Sequence, residues 1–221
     1  MTAATGDPKV KVIILTGAGR GFCAGADMDA LSAATEGTNR TAGEAPETFP
    51  GPIEGGLELP QAFGYKYAYF PTVPKPIIAA INGPAAGLGL IMALYADIRF
   101  AAENAVFTTA FAKRGLIAQH GIDWILPRVV GLPNALDLML SARKVTAQEA
   151  HRIGLVNRLY TAESLLPETR AYALELAHIV SPRSMRVMKS QLFRSQDVDF
   201  GDALEAGVRE MKESFKSQDF K

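Results

Sequence analysis

The chain has 221 residues, 48% of them hydrophobic and 21% charged, with 23 basic and 23 acidic side chains. That balance is ordinary for a globular domain and offers no excess charge to nucleic acid or to an anionic membrane surface. A lone cysteine, Cys23, excludes an internal disulfide framework and suits a reducing compartment. His120, His151 and His178 lack metal-ligand spacing, so no metal is expected. The polar stretch from Met1 to Lys9 has no apolar signal core, and no apolar run is long enough to span a bilayer. The expectation is a cytoplasmic protein with neither membrane nor nucleic-acid partners.

In chain order, Val10 to Thr16 is rich in β-branched residues and stops at Gly17, which predicts a buried strand. Met28 to Leu31 can begin a short helix. From 32 to 72 the periodicity dissolves into Gly, Pro, Thr and Glu, a length that suggests a functional loop or insertion. Phe63, Tyr65, Tyr67, Tyr69 and Phe70 in its second half are expected to pack, as a helix. Pro74-Lys75-Pro76 punctuates the chain, and Ile77 to Ile81 predicts a second buried strand.

Gly87 to Ala96 then predicts a buried helix, and Ile98 to Ala101 and Val106 to Thr109 short strands. Ile122 to Val130 and Pro133 to Leu140 predict helices parted by Gly131. Thr146-Ala147-Gln148-Glu149 matches a capping box, so a helix should start there and stop at Gly154. Val156 to Tyr160 is a further strand. Helices follow at Ser164 to Ile179, Pro182 to Ser195 and Asp202 to Phe215. The pattern is an α/β body, residues 1–160, with a helical region, residues 161–221.

Both early strands end in small residues. Phe22-Cys23-Ala24-Gly25-Ala26-Asp27 follows the first, and Asn82-Gly83-Pro84-Ala85-Ala86-Gly87-Leu88-Gly89 follows the second. Small residues admit a ligand close to the backbone, and the N–H groups at a helix start are unpaired and partly positive. Two such donors aimed at one point would form an oxyanion hole. Thr16-Gly17-Ala18-Gly19-Arg20-Gly21 suggests a dinucleotide fingerprint but fails its spacing, since the third glycine comes a residue early. A tight turn is the better reading. Cys23 has only Arg20 as a nearby base in sequence, and small buried thiols are common, so it is not read as a nucleophile.

CAGAD, a long loop, KPIIAAINGPAAGLGL, ADIRFAAENAVFTT and GLVNRLY, in that order, resemble the enoyl-CoA hydratase/isomerase, or crotonase, superfamily. The resemblance runs from about Val10 to Tyr160 and weakly beyond. It implies a spiral of strand-strand-helix units, with a C-terminal helical region used to assemble a homotrimer or a dimer of trimers. A strand-strand-helix unit precedes the first oxyanion segment in the family, and here that unit is expected to be missing. The implied substrate is an acyl-CoA thioester, with no cofactor beyond the coenzyme A it carries. Matching motif to motif, the N–H groups of Ala26 and Leu88 would hold the thioester oxygen. Ala24, Gly25, Asp27, Met28, Gly87, Phe111 and Leu116 would surround the substrate.

The chain departs from the family at the acids. The two glutamate positions of the hydratases fall on Ile91 and Phe111, which cannot transfer a proton. A later carboxylate used by other branches falls on Gln119, which can hold a water but has no useful pKa. Neighbouring His120 and Asp123 are i, i+3 and would share a helix face if the helix has begun by His120. A histidine so oriented is a credible general acid or base. Arg99, Arg114 and Arg128 are read as surface or interface pairs. The expected activity is hydration of a 2-enoyl-CoA through a stabilised enolate. Hydrolysis, decarboxylation or isomerisation through His120 and Asp123, or acyl-CoA binding without turnover, stand as alternatives.

Overall fold

The computed structural model describes residues 1–25 and 55–220. Four strands form a parallel sheet in the order β1 (Ile13–Thr16), β2 (Ile77–Ile81), β4 (Ile98–Ala102), β7 (Arg158–Tyr160). Three short strands form a second sheet in the order β3 (Ala85–Ala86), β5 (Val106–Thr108), β6 (Val145–Thr146). The helices are α1 (Thr2–Gly6), α2 (Leu88–Tyr95), α3 (Ile122–Val130), α4 (Leu132–Ser141), α5 (Ala147–Arg152), α6 (Leu165–Ile179), α7 (Pro182–Arg194) and α8 (Phe200–Phe215). The chain alternates between the sheets. In β2–β3–α2 and again in β4–β5–α3, the first strand joins the larger sheet, the second joins the smaller, and a helix closes the unit. This is the expected mixed α/β spiral.

β2 is the centre of the body. All five of its residues are fully buried, as a parallel strand covered on both faces requires. Ile77, Ala79 and Ile81 face the main core with Leu90, Ile91 and Leu126. Ile78 and Ala80 face a second cluster with Phe100, Leu165 and Ala173, which α6 covers. Ile91, at one of the family's glutamate positions, lies wholly within the main core.

β1 begins at Ile13 rather than at Val10. The parallel register pairs Ile13 with Ile77, so earlier residues would lie against the Pro74-Lys75-Pro76 turn. Proline has no N–H to give a ladder. The aromatic stretch after residue 60 forms two single turns of 3₁₀ helix, Gln61–Gly64 and Phe70–Thr72, rather than a full α-helix. Phe63 and Phe70 are buried there, and Tyr67 and Tyr69 pack against the core. The cap at Thr146 forms as predicted, with the Glu149 N–H donating to the Thr146 hydroxyl at 3.2 Å. The Glu149 carboxylate does not reach back to close the box. It accepts from Arg143 at 2.6 and 2.9 Å instead.

Arg99 was expected in a surface or interface pair and is buried within the chain. Its guanidinium donates to the carbonyls of Ala96 at 2.7 Å and Leu155 at 2.9 Å. It thereby satisfies backbone at the end of α2 that has no helical partner. Burial pulls its pKa down to about 10. Arg128 does lie exposed, its guanidinium 4.0 Å from the centre of the Trp124 ring.

Candidate functional site: a cavity at the strand ends

Because β1 and β2 are parallel neighbours, the glycine turns that follow them must emerge side by side. Thr16 and Ala80 pair at the end of the ladder, and the connection is then locked by backbone. The N–H groups of Phe22 and Cys23 both donate to the Pro84 carbonyl at 3.1 Å, and the Ala86 N–H donates to the Cys23 carbonyl at 3.0 Å. The Asn82 amide bridges the turns. Its oxygen accepts from the Gly17 N–H at 3.0 Å, and its nitrogen donates to the Gly19 carbonyl at 2.9 Å. Gly89 is required by contact: a Cβ there would collide with the Cys23 carbonyl oxygen. Gly25, at φ +102°, closes against Ala86 in the same way.

This docking sets the start of α2 against the 22–25 segment. Gly87 caps the helix at φ 50° and ψ −115°, and its own N–H donates to the Thr108 carbonyl at 3.1 Å. Leu88 opens the helix. Its N–H points beyond the first turn and meets no acceptor among the described residues. It lies where the helix dipole favours negative charge.

A cavity opens at this point, outside the C-terminal ends of β1 and β2, the usual place for ligands in parallel sheets. Ala24, Gly25, Gly87, Leu88, Phe111, Leu116, Gln119 and His120 all line it. Thr109, Ala110 and Arg114 complete the described wall. Arg114, expected in a surface or interface pair, therefore belongs to the cavity wall. Ala26, Asp27 and Met28 lie outside the described residues.

His120 sits just ahead of α3 and not on it. The helix starts at Ile122, while His120 and Gly121 are both left-handed, at φ 55° and 72°. The helical i, i+3 pairing with Asp123 is therefore not formed, because the two residues share no helical face. Asp123 lies exposed in the first turn of α3 and does not line the cavity. What holds His120 is Tyr95, at the far end of α2. The Tyr95 hydroxyl donates to the His120 carbonyl at 2.9 Å, and any Cβ on Gly121 would meet that hydroxyl. Burial, aided by the Asp123 charge, pushes the Tyr95 phenol up to about 12, so it remains a donor. The His120 ring meets Tyr67 edge-on, with centroids 5.0 Å apart. Burial, and secondly the positive charge of Lys66, lower the His120 pKa below its ordinary value, leaving the neutral imidazole at neutral pH.

Sequence reasoning missed Tyr95 and Tyr67. Tyr95 is 25 residues from its partner, and nothing local marks it beyond a tyrosine closing an otherwise aliphatic helix. The His-Gly dipeptide was the available signal for the turn that Tyr95 braces, since glycine readily takes positive φ.

The comparisons agree with this architecture. The sequence model of the enoyl-CoA hydratase/isomerase family matches residues 59–221. The 1,2-epoxyphenylacetyl-CoA isomerase of Escherichia coli K12 is 37% identical over 171 residues, covering 77% of this chain and 60% of that protein. A probable enoyl-CoA hydratase of Mycobacterium bovis is 39% identical over 179 residues, covering 80% of this chain and 59% of that protein. The chain thus spans about 60% of the length of these curated relatives. The crystal structure of a probable enoyl-CoA hydratase/isomerase from Mycobacterium abscessus superposes with a TM-score of 0.81 at 30% identity, covering 98% of this chain and 77% of that one. With the family's sequence pattern over most of its length and the fold of a solved relative, the chain belongs to the enoyl-CoA hydratase/isomerase family.

Proposed function

We propose that this chain binds an acyl-CoA thioester and hydrates a 2-enoyl-CoA through an enolate held at an oxyanion hole. The observation that carries the reading is the shared cavity: Leu88, whose N–H has no acceptor among the described residues, lines one space with Gln119 and His120. The Leu88 N–H, joined by that of Ala26, would polarise the thioester carbonyl. A backbone donor of this kind is worth about 3–4 kcal/mol of barrier. His120, neutral at physiological pH, takes a proton from water as the water oxygen bonds to C3. Electron density moves through C2 to the thioester carbonyl oxygen, and the His120 imidazolium returns the proton to C2 as the enolate collapses, which restores the neutral imidazole and completes the addition. Gln119 orients the water and transfers no proton. No cofactor is needed beyond coenzyme A itself.

The assay is loss of the conjugated-thioester absorbance of crotonyl-CoA. Turnover above background that falls by about 10²–10⁴-fold in His120→Ala supports the scheme. Gln119→Glu is the companion variant, and a large gain in rate would locate the best acid/base position there. Binding of several thioesters without turnover would overturn the enzymatic reading and leave a binding protein.

Assembly as a homotrimer, through the helical region, belongs to the same proposal. α8 has no buried residue, and Phe200, Leu204, Val208, Met211 and Phe215 are exposed along it at helical spacing. Such a stripe is suited to burial against another subunit.

A further inference from the structure

The polar side chains on the described wall of the cavity differ in kind from those of a site built for a wholly apolar acyl chain. Arg114, Gln119 and His120 line it together with Thr109, and no carboxylate does so among the described residues. Phe111 and Leu116 supply apolar wall. Among the described residues the Arg114 guanidinium has no ion pair, hydrogen-bond acceptor or aromatic partner. Several other arginines of the body are engaged: Arg99 by carbonyls, Arg143 by Asp137 and Glu149, Arg128 and Arg158 by aromatic rings.

The backbone fixes where Arg114 stands. It ends the 3₁₀ turn Ala112–Arg114, Gly115 follows at φ 67°, and the N–H groups of Arg114 and Leu116 both donate to the Phe111 carbonyl, at 2.9 and 3.1 Å. The turn is thus tied to the residue that forms the wall. A guanidinium carried on a fixed turn, without a partner among the described residues, beside an amide and a neutral imidazole is a set of donors for an oxyanion.

We infer that Arg114 is a specificity residue for an acyl group bearing a carboxylate, and that the preferred substrate is the thioester of a dicarboxylic acid. The inference rests on the thioester reading above, because it takes the cavity at Leu88 as the acyl site. Arg114 pairs with the distal carboxylate, and Gln119 and His120 lie within the same polar patch. The phosphates of coenzyme A are the other anion such an arginine could meet. Its place on the same wall as Leu88 favours the acyl end, since the pantetheine arm carries the phosphates away from the thioester.

Calorimetric titration of the full chain with free coenzyme A, crotonyl-CoA and glutaconyl-CoA, the enoyl thioester ending in a carboxylate, tests this. The expected result is about 10–100-fold tighter binding of glutaconyl-CoA than of crotonyl-CoA, the span of a charge-assisted hydrogen bond. In Arg114→Leu that ratio should fall to about one, and in Arg114→Lys part of it should return. Circular dichroism establishes that each variant is folded. Equal affinity of the wild type for both thioesters overturns the inference while leaving the thioester reading intact. A loss in Arg114→Leu that is as large for free coenzyme A as for glutaconyl-CoA overturns it in favour of phosphate binding. If neither thioester binds, the thioester reading falls, and this inference with it.

Discussion

At single residues the site depends on close backbone contact and on one imidazole. Gly89→Ala places a methyl group against the Cys23 carbonyl, where both sides are backbone and neither yields cheaply. We expect a loss of about 1–3 kcal/mol in urea unfolding, with thioester affinity falling further, because the start of α2 must move away from the 22–25 segment. The His120 ring is governed by burial first and by Lys66 second, and both disfavour the imidazolium. Lys66→Gln should therefore raise the His120 pKa toward the ordinary value. The acidic limb of the rate profile and the NMR titration of the ring should move up in pH together. The linkage has a defined sign: a depressed histidine pKa contributes stability that is full above the unfolded value of about 6.5 and is lost as pH falls through the folded value. Wild-type unfolding should become easier in that window, and Lys66→Gln should lessen the dependence.

At the level of elements, local chemistry made some legible and non-local chemistry hid others. β2 announced itself as an unbroken apolar β-branched run, and Ile122–Val130 as a helix framed by Gly121 and Gly131. The two glycine turns were readable as a pair of backbone cradles, and their meeting follows once β1 and β2 are parallel neighbours. β3 and β6 have two residues each, too few for any periodicity to register. Whether the helix had begun by His120 stayed open in the sequence, because the Tyr95 hydroxyl that decides the matter lies 25 residues away at the end of α2.

The attachment of α7 was hidden for the same reason. Lys189 reaches across 92 residues to Asp97 at 2.8 Å, and also donates to the Phe70 and Lys75 carbonyls at 3.2 Å. Asp97 accepts the Ile77 N–H at 2.7 Å. Burial alone would push Asp97 up and Lys189 down. The pair is nevertheless ionised, since three acceptors surround an ammonium with three protons. Lys189→Met should cost about 3–5 kcal/mol of stability by stranding a buried carboxylate, and Asp97→Asn in the same chain should restore much of it. Chemical denaturation of the single and double variants measures both effects.

For the whole molecule, the exposed stripe of α8 is the surface on which the proposed assembly rests. α8 is joined to α7 by polar contacts, Arg183 to Glu210 at 2.9 Å and Arg183 to the Ser214 hydroxyl, which leaves its large apolar side chains outward. Leu204→Glu with Val208→Glu should give a folded monomer in light scattering where the parent chain forms a larger species. Retained association of that variant would assign the stripe another use.

α2 does two jobs at its opposite ends. Its first residue, Leu88, lines the cavity, and its last side chain, Tyr95, braces the carbonyl of His120. The eight residues from Leu88 to Tyr95 therefore act as a ruler, and at 1.5 Å per residue the spacing between the start of α2 and the brace on His120 is a matter of counting. A one-residue deletion within α2 would shorten it by about 1.5 Å and swing Tyr95 by about 100°. Such a change would leave every residue named at the cavity in place in the sequence while putting the two halves of the site out of gauge.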